Sequence, residues 1–124
     1  MQILVVEDQD SIRSLIEALV SARGHKVVAV GSGAKALEVA FQSTPHVVLL
    51  DLHLPGQYDG FAVCEKLRAN ESTKNVPVLI ISAKDDAPAR ARATEVGATA
   101  FYGKPFSPTA LLKEIERLGR STKA

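Results

Sequence analysis

The sequence predicts a three-layer α/β fold, in which a five-stranded parallel sheet lies between two layers of helices. Three observations predict it. Short solid apolar runs alternate with longer amphipathic stretches along the chain, which is the pattern of βα units. Three of the runs, Ile3-Leu4-Val5-Val6, Val47-Val48-Leu49-Leu50 and Val78-Leu79-Ile80-Ile81, contain no polar residue, as strands covered on both faces require. The runs are followed by residues that carry chemistry: Glu7-Asp8, Asp51 and Ser82, with Lys104 after a fourth apolar segment, Ala100-Phe101-Tyr102.

Residues 2–6 are the first strand. Asp10 or Ser11 is the expected cap of the first helix, whose inward positions are Ile12, Leu15, Ile16, Leu19 and Val20, with Gly24 as its stop signal. The second strand is 26–30 and the second helix 33–43, with Ala36, Leu37 and Ala40 inward. Pro45 punctuates before the third strand, 46–50. A helix near 60–70 buries Phe61, Cys64 and Leu67. Pro77 opens the fourth strand, 77–81. An Ala- and Arg-rich helix at 86–96, with a thin apolar face, ends at Gly97. The fifth strand is 99–102. Ser107 caps the last helix, whose stripe is Leu111, Leu112, Ile115 and Leu118. The crossovers are expected to be right-handed.

A chain of 124 residues lies within the usual size of one domain. The expected division is a domain over 1–119 and a polar tail or linker start over 120–124, with no effector segment after residue 118. A net charge of +1 gives no reason to expect nucleic-acid binding, which needs a concentrated basic surface. The single Cys64 excludes an internal disulfide and is read as a buried small hydrophobe. No apolar run approaches the ~18 residues that suggest a membrane span, and Met1-Gln2-Ile3-Leu4 lacks the basic start of a signal peptide. A cytoplasmic protein is expected. His25 and His46 read as strand-edge residues without a partner.

In open α/β sheets the site lies outside the carboxyl ends of the strands. There this sequence gathers Glu7, Asp8, Asp51, Ser82 and Lys104. Three acids crowded together repel one another, and a divalent cation removes the conflict. Oxygen ligands favour a hard ion; Mg²⁺ takes few carboxylates and keeps waters and phosphate oxygens. Lysine offers a compact positive charge for a phosphate oxygen, and Pro105 holds Lys104 extended. At a strand end its ammonium is expected to stay partly solvated.

These residues, in this order, resemble the receiver domain of two-component response regulators. The resemblance rests on the acidic pair Glu7-Asp8, Asp51-Leu52-His53-Leu54-Pro55-Gly56, Asp59-Gly60-Phe61, Ser82-Ala83, Gly97-Ala98 and Lys104-Pro105, and covers residues 2–118. It implies a flavodoxin-like doubly wound sheet of order 2-1-3-4-5. It implies that Asp51 is the phosphoacceptor, Asp8 a direct ligand of Mg²⁺ (Mn²⁺ as an alternative), and Glu7 a ligand through water. The His53 backbone carbonyl would complete the metal ligands, while Ser82, Lys104 and the Ala83 N–H would hold phosphoryl oxygens. Phe101 matches the switch aromatic, with Tyr102 beside it as a second candidate; an ordinary aromatic against the last helix is the alternative. The implied partners are a histidine kinase or phosphotransfer protein and a downstream effector or fused output domain. A homodimer through the fourth helix, fifth strand and fifth helix is a further implied partnership.

Two features depart from the pattern. The loop 56–60 is one residue longer than usual. Lys84 and the His53 side chain flank the expected path of a hydrolytic water, and both are expected to face solvent. Three readings compete with a receiver. A metal-dependent phosphohydrolase with Asp51 as nucleophile needs a second acid for its leaving group, and only His53 stands near. A flavin-binding protein would not place the acidic, glycine-free Glu7-Asp8-Gln9-Asp10 at its phosphate. A phosphorylation-independent docking module would not need the full set of acids, hydroxyl and lysine.

Overall fold

Each predicted run forms a strand and each amphipathic stretch a helix. A computed structural model describes residues 1–83, 86–104 and 106–121. The elements are β1 (Gln2–Val6), α1 (Asp10–Ala22), β2 (Lys26–Val30), α2 (Gly33–Gln42), β3 (Val47–Asp51), α3 (Gly60–Ala69), β4 (Val78–Ser82), α4 (Ala87–Glu95), β5 (Ala100–Gly103) and α5 (Pro108–Ser121). The strands form one sheet, all parallel, in the order β2-β1-β3-β4-β5.

Strand alternation sorts the core into two halves, because successive side chains point to opposite faces. Ile3, Val5, Val47, Leu49, Leu79 and Ile81 face α1 and α5, meeting Ile16, Val20, Leu111, Ile115 and Leu118. Leu4, Val6, Val48, Leu50, Val78 and Ile80 face the other helices, meeting Ala36, Leu37, Val63, Cys64, Leu67, Ala89 and Ala93. Each large aliphatic side chain buried this way contributes about 1.5–3 kcal/mol.

β3 and β4 each run one residue further than the apolar pattern indicated. Asp51 lies opposite Ile81 in the ladder, and Ser82 lies opposite Gly103. The sheet itself therefore holds the backbone of both residues. Gly24 and Gly97, at positive φ, end α1 and α4 as expected.

Several local expectations are corrected. Helix α1 starts at Asp10, with Gln9 in the cap position and no side-chain cap. The Gln9 N–H is instead taken by the Glu7 carboxylate at 3.1 Å. Leu15 is 48% exposed rather than inward: Ile16 and Val20 point at the sheet, and Leu15 lies on the flank beside Phe106 and Pro108. On α3 the inward positions are Val63, Cys64 and Leu67, with Phe61 only partly buried. Arg92 of α4 lies over the Phe61 ring, 5.6 Å from its centroid, so arginine stems extend the thin apolar face of α4. Arg120 and Ser121 continue α5 rather than leaving it.

The two histidines are not partnerless. The His25 ring bonds Glu116 through Nε2 at 2.8 Å and the Met1 amino group through Nδ1 at 3.2 Å. His46 accepts the Gln2 N–H at 3.0 Å.

Candidate functional site

Alternation also arranges the carboxyl edge of the sheet. Glu7 and Asp51 continue the parity of the residues facing α1 and α5, whereas Ser82 continues the parity facing α3 and α4. Phe101 shares the Ser82 parity, since Ile80 lies opposite Phe101 in the ladder. The edge thus has a charged half and a half with a hydroxyl and an aromatic ring.

The charged half comes together as the sequence predicted. Oxygens of Glu7, Asp8 and Asp51 lie within 4.8 Å of one another. Glu7 is fully buried, Asp51 is 3% exposed and Asp8 is exposed. The Lys104 Nζ lies 2.8 Å from Glu7 Oε1 and 3.6 Å from Asp51 Oδ2. Its side chain is only 16% exposed, so the expectation of a solvated ammonium is corrected: Lys104 pairs with a buried acid. The Lys104 N–H donates to the Ser82 carbonyl at 2.8 Å, which fixes where the side chain starts.

One ammonium does not balance three carboxylates. Burial and the neighbouring Glu7 charge push the Asp51 carboxyl up to about 7, against the pull of Lys104 and the His53 N–H. Glu7 is shifted the other way: burial raises it, but hydrogen bonds from Lys104, the Gln9 N–H and Asp51 outweigh that and lower it. Lys104 therefore sides with Glu7 and leaves Asp51 short of positive charge. A hard divalent cation fits this donor set, because it supplies the missing charge to oxygen ligands.

The remaining predicted residues are placed as follows. His53 is exposed, and its backbone N–H donates to Asp51 Oδ1 at 3.3 Å. Ser82 is fully buried at the end of β4. Phe101 packs with the α3 and α4 half of the core, and Arg90 lies over its ring at 4.8 Å. Its neighbour is α4, not the last helix. Tyr102 points to the opposite face, among residues of the α1 and α5 half, so it does not share the Phe101 position. Lys84 and Pro105 lie outside the described residues.

Two contributors were missed by sequence reasoning. Gly60 begins α3 so close to the end of β3 that a Cβ there would stand 2.5 Å from the Asp51 carbonyl. Its N–H donates to Leu52 at 3.0 Å, so only glycine lets α3 brace the Asp51 backbone. The Asp59-Gly60 pair was the available signal, with Asp59 capping α3 through the Ala62 N–H at 2.9 Å. The second is Arg13, on the first turns of α1, which donates to the Glu7 carbonyl. In the longer loop, Tyr58 packs onto the core and Lys66 lies over its ring at 5.2 Å.

The model of the response regulator receiver domain matches residues 3–116. The chain belongs to the response regulator receiver family. Among curated relatives, the probable transcriptional regulator ycf27 of Guillardia theta is 36% identical over 98% of this chain and 46% of its own length. The response regulator PleD of Caulobacter vibrioides is 36% identical over 96% of this chain and 26% of its own length. The chain thus spans half or less of these relatives. Among solved structures, a Francisella response regulator receiver domain superposes with a TM-score of 0.91 at 26% identity, covering 98% of each chain. The receiver domain of a Pseudomonas aeruginosa sensor histidine kinase, with a magnesium ion coordinated in its active-site cleft, gives 0.88 at 28% identity, covering 96% of this chain and 97% of that one. This receiver is a signalling module of a two-component system. Among its described residues no helix is long and apolar enough to cross a membrane.

Proposed function

We propose that this receiver accepts a phosphoryl group on Asp51 from a phosphohistidine of a histidine kinase or phosphotransfer protein. The observation that carries the reading is the uneven charge at the sheet edge: three carboxylates within 4.8 Å of one another and one ammonium already committed to Glu7. Glu7, Asp8 and Asp51, with the His53 backbone carbonyl, are the residues proposed to hold Mg²⁺, which when bound supplies positive charge to phosphoryl oxygens.

In the transfer, an Asp51 oxygen forms the new bond to phosphorus while the phosphorus–nitrogen bond of the donor breaks, and the imidazole leaves. Asp51 must be ionised to attack, and a cation held by these acids would favour its ionised form. Lys104, 3.6 Å from Asp51, is within a side-chain swing of the oxygens that arrive, and positioning supplies most of the rate. The receiver performs this chemistry only on itself. Ser82 and the Ala83 N–H are proposed to take the remaining phosphoryl oxygens. Ser82 and Phe101 share one face of the sheet, so movement of Ser82 toward the phosphoryl group frees space on the Phe101 side. Phe101 then leaves Arg90 and rotates inward, changing the surface of α4, β5 and α5. This is a two-element switch biased by a local charge, and the changed surface is where an effector, an output domain or a second copy would dock.

A groove of about 400 Å³ lined by Ile12, Leu15, Lys104, Phe106 and Pro108 opens beside Lys104. With exposed Leu15, it offers the donor an apolar footing next to the site. The domain proper is proposed to run through Ser121, where α5 ends, and to act in the cytoplasm, where its kinase presents the phosphohistidine. Phosphotransfer profiling tests the reading. Purified kinases carrying labelled phosphohistidine are mixed with the receiver and Mg²⁺, and one kinase is expected to lose its label to this chain within minutes. If no kinase transfers and a small phosphodonor also leaves the chain unlabelled, the reading is wrong.

A further inference from the structure

Arg13 turns back from α1 toward the end of β1. Its Nη1 donates to the Glu7 carbonyl at 2.9 Å and reaches the Asp8 carbonyl at 3.5 Å, while Nη2 pairs with the Asp10 carboxylate. The side chain is 25% exposed. Gly31, just past β2, approaches it closely: a Cβ there would stand 3.2 Å from Nη1 and 3.9 Å from the Glu7 carbonyl. The Glu7 N–H donates to Val30 at 3.0 Å. The guanidinium therefore sits in a corner made by the end of β1, the first turns of α1 and the start of the β2–α2 connection.

These bonds go to the backbone carbonyls of the two acids, not to their carboxylates. A carbonyl held in place fixes its peptide plane, and the peptide plane fixes where the next side chain departs. Glu7 has other holds, since its carboxylate is bonded to Lys104 and the Gln9 N–H. Asp8 is exposed and lies between β1 and α1, so packing does little to aim it. A planar fork that reaches two carbonyls and one carboxylate at once is a task for arginine rather than lysine.

We propose that Arg13 is a positioning residue for the metal-binding acids, holding the Glu7–Asp8 backbone so that the Asp8 carboxylate is aimed at the ion before it binds. The proposal rests on the functional reading above and deepens it. It makes a prediction opposite in sign to simple electrostatics. By Coulomb's law alone, removing a positive charge beside an acidic cluster tightens a cation. If Arg13 positions the acids, removing it weakens the cation, and a lysine that keeps the charge weakens it too.

The test is a Mg²⁺ titration of the unphosphorylated chain, read by backbone amide shifts at the site, for wild type, Arg13→Lys and Arg13→Gln. Thermal melts are run without metal. Arg13→Lys is expected to weaken Mg²⁺ by about tenfold, the low end for residues that orient metal ligands. Arg13→Gln is expected to weaken it as well, despite the lost positive charge. Labelling by acetyl phosphate should return to the wild-type rate at saturating Mg²⁺ in both variants, a split that general loss of structure would not produce. Unchanged affinity in Arg13→Lys, or tighter binding in Arg13→Gln, overturns the proposal while leaving the functional reading intact. If wild type itself binds no Mg²⁺, the functional reading falls and the Arg13 proposal falls with it.

Discussion

Glu116 and Asp51 are both buried acids, 8% and 3% exposed, yet the protein treats their charge in opposite ways. Glu116, on α5, receives two bonds from Arg23 at 3.1 and 3.2 Å and one contact from His25 at 2.8 Å. Those bonds hold its carboxyl below the usual carboxylate range. Asp51 shares one lysine with Glu7 and is pushed up instead. The first cluster is complete as it stands and ties α5 to the turn between α1 and β2. The second is complete only when more positive charge arrives. A buried acid that is fully paired belongs to the structure, while one left short of charge is available for chemistry.

A large and pH-dependent effect is expected from removing that shortage. Because the folded-state pKa of Asp51 lies above its ordinary value, the folded chain binds more protons than the unfolded chain between those two values. Its contribution therefore falls as pH rises through the window toward about 7. Asp51→Asn keeps a donor for Glu7 without the charge. In metal-free buffer it should gain more stability at pH 8 than at pH 5, by on the order of 2 kcal/mol. Urea melts of both proteins at the two pH values measure this, and an equal gain at both would remove the contrast with Glu116.

Lys104→Ala is expected to cost about 1–3 kcal/mol without metal, as it leaves buried Glu7 without its charged partner. Added Mg²⁺ should recover part of the loss in a thermal melt. A cost below about 0.5 kcal/mol, the level of an ordinary surface change, would place the lysine in solvent after all.

Glu116→Gln tests the other cluster. It keeps the shape and loses the charge, and should cost about 1 kcal/mol at pH 7, with no response to Mg²⁺. The sign with pH is opposite to that of Asp51: the lowered carboxyl contributes fully above the ordinary carboxylate range, and the contribution is lost as pH falls through it. The smallest effect is expected at the longer loop, where Lys66→Ala removes the ammonium over Tyr58 and should cost about 0.5 kcal/mol with unchanged Mg²⁺ affinity.

The contrast between the clusters also marks how far the sequence was legible. The strands and the gathering of Glu7, Asp8, Asp51 and Lys104 could be read because solid apolar runs end in polar residues, and parallel strands carry those residues to one edge. The two faces of the core follow from alternation alone. Pairings between distant residues could not be read. Lys104 meets Glu7 and His25 meets Glu116 across almost the whole chain, and no local pattern announces either pair. Leu15 fits a helical stripe, but its exposure depends on where α5 begins. Arg13 looks like an ordinary surface arginine until the end of β1 is seen to lie beneath it.

The proposed work of the unbalanced edge is to take a cation and a phosphoryl group on Asp51. Incubating the purified chain with acetyl phosphate and Mg²⁺, then weighing the intact protein, tests it most directly. Wild type should gain one phosphoryl group, Asp51→Asn none, and chelation of the metal should abolish the gain in wild type. Equal labelling of Asp51→Asn would place the phosphoryl group elsewhere, and labelling that ignores chelation would show that no cation takes part.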